Sequence, residues 1–231
     1  VEYFDGVLEI LHKGKATVDK FMGDAICAFW GAPKHDPNHI ENAVNAVLDC
    51  REKLETSNLD WEKRGLPPLP TCFGLDTGSV VVGNVGAHSR LNYTVLGDTV
   101  NVASRIEALN RLYGTVALAS EKVRDNAGIE FLWRYVDMVG VRGKGKAIKI
   151  YELLGRKDKV AVETLKFAKY YEEGLRLYQT RQFHEAIDVL SEIQSGWSGD
   201  LSLRRLIQNC HYCVQCPPPD NWDGVEWLKE K

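Results

Sequence analysis

Residues 92–105 read NYTVLGDTVNVASR, and this stretch decides how the first part of the chain is interpreted. A β-type segment ends at Gly97-Asp98, and the residues that follow have the pattern of a helix. Asn101 and Arg105 are four residues apart, so they share one face of that helix. Asn both donates and accepts hydrogen bonds, and Arg is a permanently charged fork of N–H donors that suits phosphate. The stretch therefore predicts a helix face that stabilises a reacting phosphate.

A second stretch, residues 17–33, reads TVDKFMGDAICAFWGAP and predicts a β-hairpin. Two β-rich, mostly apolar runs flank Gly23-Asp24, which is a strong turn signal. The turn places Asp24 at the hairpin tip, where a carboxylate can meet a hard cation, and Lys20 lies on the entering strand. Taken alone, the stretch would be interpreted as an ordinary surface hairpin. Only together with the Asn/Arg helix does it indicate part of a functional site.

Composition places the chain among soluble globular proteins. It has 231 residues, 44% hydrophobic and 26% charged, which suits one domain of ordinary size plus an appendage. The net charge of -3 gives the chain no excess of basic residues to bind nucleic-acid phosphates, so we expect no nucleic-acid partner. Neither a membrane-length apolar run nor a signal peptide is present, so we expect no membrane contact by this segment and a location on the cytoplasmic side.

The pattern of elements over residues 1–155 predicts an α+β, ferredoxin-like sheet with helices on one side. Proline residues end the long second helix, and Gly114 closes the Asn/Arg helix. The expected helices are 1–13, 38–64, 98–112 and 121–126; the expected strands are the hairpin 15–30, then 71–76, 79–85, 115–119, 131–140 and 147–154.

The remainder of the chain, residues 160–231, has a helical pattern that follows a charged linker at 155–159. Small residues such as Gly174 and Ala186 suit the crossing of a helix–turn–helix of the tetratricopeptide (TPR) type. Only one such unit is visible, and solenoids need about three, so we expect an α-helical hairpin tail packed on the first domain. Residues 216–225 are expected to form an extended strap followed by a short helix.

The six cysteines fall into two groups. The first three are scattered through apolar patterns and are expected to be reduced core or near-core residues. The others form C-x-x-C-x-x-C, which could be a metal or iron–sulfur motif, but a helical pattern runs through it and favours simple helix packing. The first group is Cys27, Cys50 and Cys72, and the second is Cys210, Cys213 and Cys216.

In their order and spacing, the two motif stretches resemble the signature of the class III nucleotidyl cyclases, over residues 1 to about 155. The resemblance implies a catalytic site that exists only at the interface of a homodimer, or of a dimer with a homologous cyclase chain. One subunit would supply two metal-binding aspartates, of which Asp24 would be the second. The ions would be two Mg²⁺ or Mn²⁺ per site, with ATP as the substrate.

The same resemblance assigns roles to five further residues, of which the base-recognition pair and the Asn/Arg pair come from the other subunit. Lys20 and Thr94 would recognise the base, with Lys20 donating to a ring nitrogen of adenine and Thr94 accepting from its exocyclic amine. Asn101 would orient the ribose, and Arg105 would stabilise charge on the α-phosphate. Arg142 would hold the distal phosphates, where the family usually has Lys.

One departure from the family pattern concerns the first metal aspartate. The family carries it in a Phe-x-Asp-x-x-Gly-Phe-Thr motif upstream of the first helix, and this chain contains no such motif. Asp5 and Asp19 do not occupy that position. Because Val1 opens inside a helical pattern, we expect the chain to be a fragment of a longer enzyme and to have negligible activity by itself.

Three functions remain in competition at this level. The first is an adenylyl cyclase that makes cyclic AMP from ATP. The second is a guanylyl cyclase, but that branch typically carries Glu and Cys where this chain has Lys20 and Thr94. The third is a non-catalytic dimerisation or nucleotide-sensing module with a helical interaction tail. Outside the motifs, Arg134 is expected to be buried in an ion pair with a carboxylate such as Glu107.

Overall fold

A computed structural model describes residues 2–87, 90–141 and 147–228 of the chain. All four helices expected before residue 155 form within one or two residues of their expected bounds, because amphipathic periodicity and capping are local signals. The helices are α1 (Glu2–Lys13), α2 (His39–Lys63), α3 (Asp98–Tyr113), α4 (Glu121–Asn126), α5 (Val162–Gln179), α6 (Phe183–Gln194) and α7 (Leu201–Gln215). The strands are β1 (Thr17–Met22), β2 (Ala25–Phe29), β3 (Phe73–Leu75), β4 (Val81–Ala87), β5 (Arg90–Leu96), β6 (Ala117–Ser120), β7 (Phe131–Val141), β8 (Ala147–Arg156) and β9 (Glu226–Leu228).

The central sheet has five strands in the order β3-β6-β8-β7-β9. The long hairpin of β7 and β8 is antiparallel, β6 pairs antiparallel with β8, and the two edge strands β3 and β9 pair parallel with their neighbours. The strands thus mix with helices in the α+β arrangement expected from the sequence.

Two separate hairpins stand beside this sheet. One is the expected β1–β2 hairpin, and the other joins β4 to β5. Although β3 and β4 are close in sequence, they belong to different sheets. The chain between them therefore leaves the central sheet and carries residues 81–96 to the hairpin that precedes α3.

Helices α2 and α3 pack their apolar stripes on the central sheet. Val44 of α2 is fully buried with Leu153, and Ile106 of α3 is fully buried with Ile150. Helix α3 lies very close to β3, because Gly74 carries no side chain and a Cβ there would collide with the backbone of Glu107. The helix carrying the Asn/Arg pair is thereby held firmly against the sheet.

The tail packs on the first domain, as expected, but it is more than a helical hairpin. Helices α5 and α6 cross where Gly174 meets Leu190, so the small residue sits at the predicted crossing. A third helix, α7, follows. The expected short helix after the strap is wrong: residues 226–228 form β9, which adds to the edge of β7. The edge of β7 offers backbone hydrogen-bonding groups, and residues 226–228 pair with it. Because β7 is far from these residues in sequence, no local pattern predicts this strand.

The boundary between the two parts also differs from the expectation. Strand β8 runs through Arg156, so the first two residues of the predicted linker 155–159 belong to the sheet. Across the boundary, the hydroxyl of Tyr171 donates to the carbonyl of Val136 at 2.9 Å, and Glu172 accepts from the backbone N–H of Tyr135 at 2.7 Å. The tail is therefore bonded directly to β7.

Arg134 is buried as predicted, with 1% of its side chain exposed, but its partners are not Glu107. Its guanidinium pairs with Glu152 of β8 at 2.6 Å and with Asp200, the N-cap residue of α7, at 2.9 Å. It also lies over the rings of Phe167 and Tyr171. Sequence periodicity identifies a buried face but not the carboxylates that tertiary packing brings to it. Across the residues that the structure describes, no helix combines the length and the hydropathy needed to cross a membrane.

Candidate active site

The Lys20 side chain reaches from one hairpin to the other. Lys20 lies on β1 and Thr94 on β5, 74 residues later, and the Lys20 Nζ donates to the Thr94 Oγ1 at 3.1 Å. Thr94 is buried, with 8% of the residue exposed, while about half of the Lys20 side chain remains exposed. The two residues expected to recognise a base are therefore in direct contact, with the ammonium at the surface end of the pair.

An aromatic contact supports the same meeting of hairpins. The rings of Phe29 on β2 and Tyr93 on β5 have centroids 6.4 Å apart. The β1–β2 and β4–β5 hairpins thus touch through a hydrogen bond and through packing, which holds the position of Lys20 relative to Thr94.

Helix α3 begins four residues after Thr94 and carries the other two predicted groups. Asn101 is exposed and Arg105 is half-buried, one helical turn apart. Within residues 2–87, 90–141 and 147–228, neither side chain makes a recorded hydrogen bond or ion pair, although each has several donors to offer. Both groups are available to a ligand that lies beyond the end of β5.

The carboxylate predicted to bind a metal is at the tip of the β1–β2 hairpin. Gly23 adopts a positive φ of 67°, which a turn residue with a side chain would resist, and Asp24 follows it in an exposed position. The turn chemistry read from the sequence is therefore present.

The family model for the adenylate and guanylate cyclase catalytic domain matches residues 2–155. The chain belongs to that family. The expected resemblance is thereby confirmed, and the matched range coincides with the part of the chain before the tail. Residues 156–231 lie outside the match.

The similar proteins include several named adenylate cyclases. "Adenylate cyclase 1" of Rhizobium meliloti is 42% identical over 154 residues, covering 67% of this chain and 23% of that protein. The "Adenylate cyclase" of Anabaena cylindrica is 39% identical over 143 residues, covering 59% of this chain and 28% of that protein. The chain therefore spans less than a third of the length of these relatives.

Solved cyclase domains share the fold. The adenylyl cyclase CyaB from P. aeruginosa superposes with a TM-score of 0.61 at 25% identity, over 69% of this chain and 82% of that one. The guanylyl cyclase Cya2 superposes with a TM-score of 0.60 at 29% identity, over 68% of this chain and 79% of that one. Both kinds of cyclase thus share this architecture, so the choice of base must come from individual side chains.

A divalent metal site cannot be completed from the described residues of this cyclase domain. The resemblance assigns one carboxylate, Asp24, to metal binding, and the described part of the chain contains no group of three or more His, Cys, Asp or Glu residues that could hold an ion. Mg²⁺ and Mn²⁺ are bound by several oxygen ligands, usually including more than one carboxylate. Asp24 alone does not fit a two-ion site.

Arg142, the residue expected to hold the distal phosphates, lies outside the described residues, and its predicted role stays a prediction. The three tail cysteines lie on α7 at helical spacing, as the packing interpretation predicts. Cys210 and Cys213 are buried and Cys216 is exposed, all as free thiols. Burial raises the pKa of Cys210 to about 12, which disfavours the thiolate that metals bind.

One carboxylate to which the sequence assigns no role lies in contact with Lys20. The carboxylate of Asp19 is buried, with 2% of its side chain exposed, and its Oδ2 lies 3.1 Å from the Lys20 Nζ. Adjacent residues of a regular strand point to opposite faces, so sequence alternation places the two apart. An irregularity in β1 brings them together, and the sequence carries no clear signal for it.

Proposed function

We propose that this domain converts ATP to 3′,5′-cyclic AMP and pyrophosphate at the interface of a dimer. The 3.1 Å contact of Lys20 with Thr94, on the strand that leads into the helix of Asn101 and Arg105, carries the proposal. The named adenylate cyclases among the relatives support the same choice of product.

Base recognition would use the two contacting side chains. An ammonium has three N–H donors, and one of those of Lys20 already goes to Thr94. Another can go to an unprotonated ring nitrogen of adenine. The Thr94 hydroxyl has two lone pairs, so it can accept from Lys20 and from the exocyclic amine of adenine together. Guanine presents a carbonyl and a ring N–H at those positions and would leave Lys20 facing a donor.

The chemistry would take place next to α3. The ribose 3′-hydroxyl attacks the α-phosphorus and pyrophosphate leaves, so the reaction is intramolecular and depends on orientation. Asn101 would hold the ribose, and the guanidinium of Arg105 would stabilise the charge that develops on the α-phosphate. Arg142 would hold the distal phosphates. Divalent ions, Mg²⁺ or Mn²⁺, would require at least one further carboxylate besides Asp24.

A homodimer with shared sites gives the sharpest test. In the full-length protein, Asp24→Ala and Arg105→Ala should each be almost inactive, because each removes one side of every site. Mixing them forms heterodimers in which one of the two sites is intact. With random exchange, about a quarter of the wild-type cyclic AMP production should return. The Asp24→Ala/Arg105→Ala double variant is the matched control and should restore nothing with either single variant.

The outcomes separate the competing functions. No recovery, with subunit exchange demonstrated by a labelled chain, would contradict the shared site. A guanylyl cyclase would instead prefer GTP. A nucleotide-sensing module would bind ATP and form no cyclic nucleotide in the full-length protein. Residues 1–231 alone should show no turnover even with Mn²⁺, since Asp24 is the one metal-binding carboxylate that the family pattern identifies in them.

A further inference from the structure

Strand β1 contains one residue too many for its partner. Val18 lies opposite Ala28, but the next pair is Lys20 with Cys27, so Asp19 has no residue opposite it on β2. Such a bulge interrupts the alternation of side chains and turns two successive ones toward the same region. Bulges are common next to functional sites because they re-aim a side chain.

The bulge places a buried carboxylate against the Lys20 ammonium. Asp19 is almost completely buried, and its Oδ2 lies 3.1 Å from the Lys20 Nζ. Within the described ranges this oxygen accepts no hydrogen bond of good geometry, and its ion-pair partner is the Lys20 ammonium. The Cys27 thiol is a second neighbour of the Asp19 carboxylate. A buried carboxylate that is poorly satisfied costs stability and calls for an explanation outside packing.

No competing anion lies on the neighbouring strand. Cys27 is directly opposite Lys20 on β2, and burial, with a further contribution from Asp19, raises the pKa of its thiol. Cys27 therefore stays neutral at physiological pH and leaves Asp19 as the negative charge that attracts Lys20. The ammonium is held between the Asp19 carboxylate on one side and the Thr94 hydroxyl on the other.

We propose that Asp19 is a positioning residue for base choice: it holds the Lys20 ammonium beside Thr94, where a ring acceptor is favoured over a ring donor. This inference rests on the proposed function. Without Asp19, the long and half-exposed Lys20 side chain can turn toward solvent. Adenine then loses the hydrogen bond from Lys20 to its ring nitrogen. Guanine binds less unfavourably, because the ammonium is no longer held against its ring N–H.

The test measures cyclic AMP and cyclic GMP production by full-length variants. Asp19→Asn should raise KM for ATP roughly ten-fold and lower the ATP-over-GTP ratio of kcat/KM by a similar factor, with kcat changed much less. Asp19→Ser, measured in parallel, removes the same charge with a smaller side chain. Asp19→Glu keeps the charge and should recover part of the ATP preference. Asp5→Asn, an exposed carboxylate on α1, is the matched control for net charge and should change neither parameter.

A double-mutant cycle separates this inference from the proposed function. If Asp19 acts through Lys20, Asp19→Asn should change the ATP-over-GTP ratio in the wild type and add nothing in a Lys20→Met background. Equal effects in both backgrounds would overturn the inference, as would unchanged kinetics for Asp19→Asn and Asp19→Ser where Lys20→Met is defective. An unchanged ratio for Lys20→Met itself would overturn the base-recognition proposal as well.

Discussion

The phenol of Tyr113, the last residue of α3, donates a 2.7 Å hydrogen bond to the carboxylate of Asp137 on β7. The backbone carbonyl of the same tyrosine accepts a 2.7 Å hydrogen bond from Ser202 of α7. The helix that carries Asn101 and Arg105 therefore ends in a buried polar contact with both the sheet and the tail. The tail therefore helps to hold α3 in place, and we expect its removal to destabilise that helix.

Stability should depend on pH through Asp137. Burial raises the pKa of Asp137 to about 6, against the opposing hydrogen bonds from Tyr113 and from the Met138 backbone. The folded state thus binds this proton more tightly than the unfolded state, where an aspartate has a pKa of about 3.9. Its contribution to the free energy of unfolding is complete below about pH 4, is lost as pH rises to about 6, and stays lost above that.

Asp137→Asn should remove this dependence. Relative to wild type, the variant should gain about 2 kcal/mol of unfolding free energy between pH 4 and pH 8, more than half of it above pH 5. Urea unfolding at a series of pH values measures it. Identical pH slopes for the two proteins would show that Asp137 is not the responsible group.

Breaking the buried ion cluster of Arg134 should destabilise the chain strongly. Arg134→Met leaves the carboxylates of Glu152 and Asp200 mostly buried without their cation, which typically costs about 3–5 kcal/mol. Arg176→Met is the matched control, because its pair with Glu173 is exposed on both sides and solvent screening leaves it little effect on stability. Denaturant midpoints compare the two, and similar shifts would contradict the burial argument.

Base choice should follow Lys20 and Thr94. An unpaired donor in a desolvated pocket costs about 1–3 kcal/mol, so two mismatches with guanine predict an ATP preference of roughly tens- to thousands-fold in kcat/KM. The Lys20→Glu/Thr94→Cys double variant should lose most ATP use and gain some use of GTP. Competition between ATP and GTP measures the ratio, and equal kcat/KM values in the unmodified full-length protein would show that this pair does not recognise the base.

Arg105 should act on the rate rather than on binding. Arg105→Ala should lower kcat by roughly two orders of magnitude or more with little change in KM, since its charge is needed mainly in the transition state. Arg111→Ala, an exposed arginine in the last turn of the same helix, should leave both parameters nearly unchanged. A purely KM-based defect for Arg105→Ala would place its contact in the ground state instead.

The candidate site was predictable from the sequence to the extent that its parts are local. The Gly23-Asp24 turn and the helical face of Asn101 and Arg105 depend on residues that are neighbours in the chain. The contact of Lys20 with Thr94 is different, because 74 residues separate them. It was expected only through resemblance to a family, and no periodicity in the chain predicts it.

The sequence by itself determined the local elements: four helices before residue 155, the β1–β2 hairpin, and the residue types that suit nucleotide chemistry. The pairing of β4 with β5, rather than with β3, was decided by the tertiary structure. Only the tertiary structure decided which distant groups meet. It placed Asp19 beside Lys20 through a bulge, and it paired Arg134 with Asp200. It also turned residues 226–228 into a strand. The physical reason is the distance along the chain over which each interaction acts. Turns, caps and periodicity depend on residues a few positions apart. Ion pairs and open sheet edges are satisfied by groups that can lie anywhere in the sequence, provided that folding brings them close.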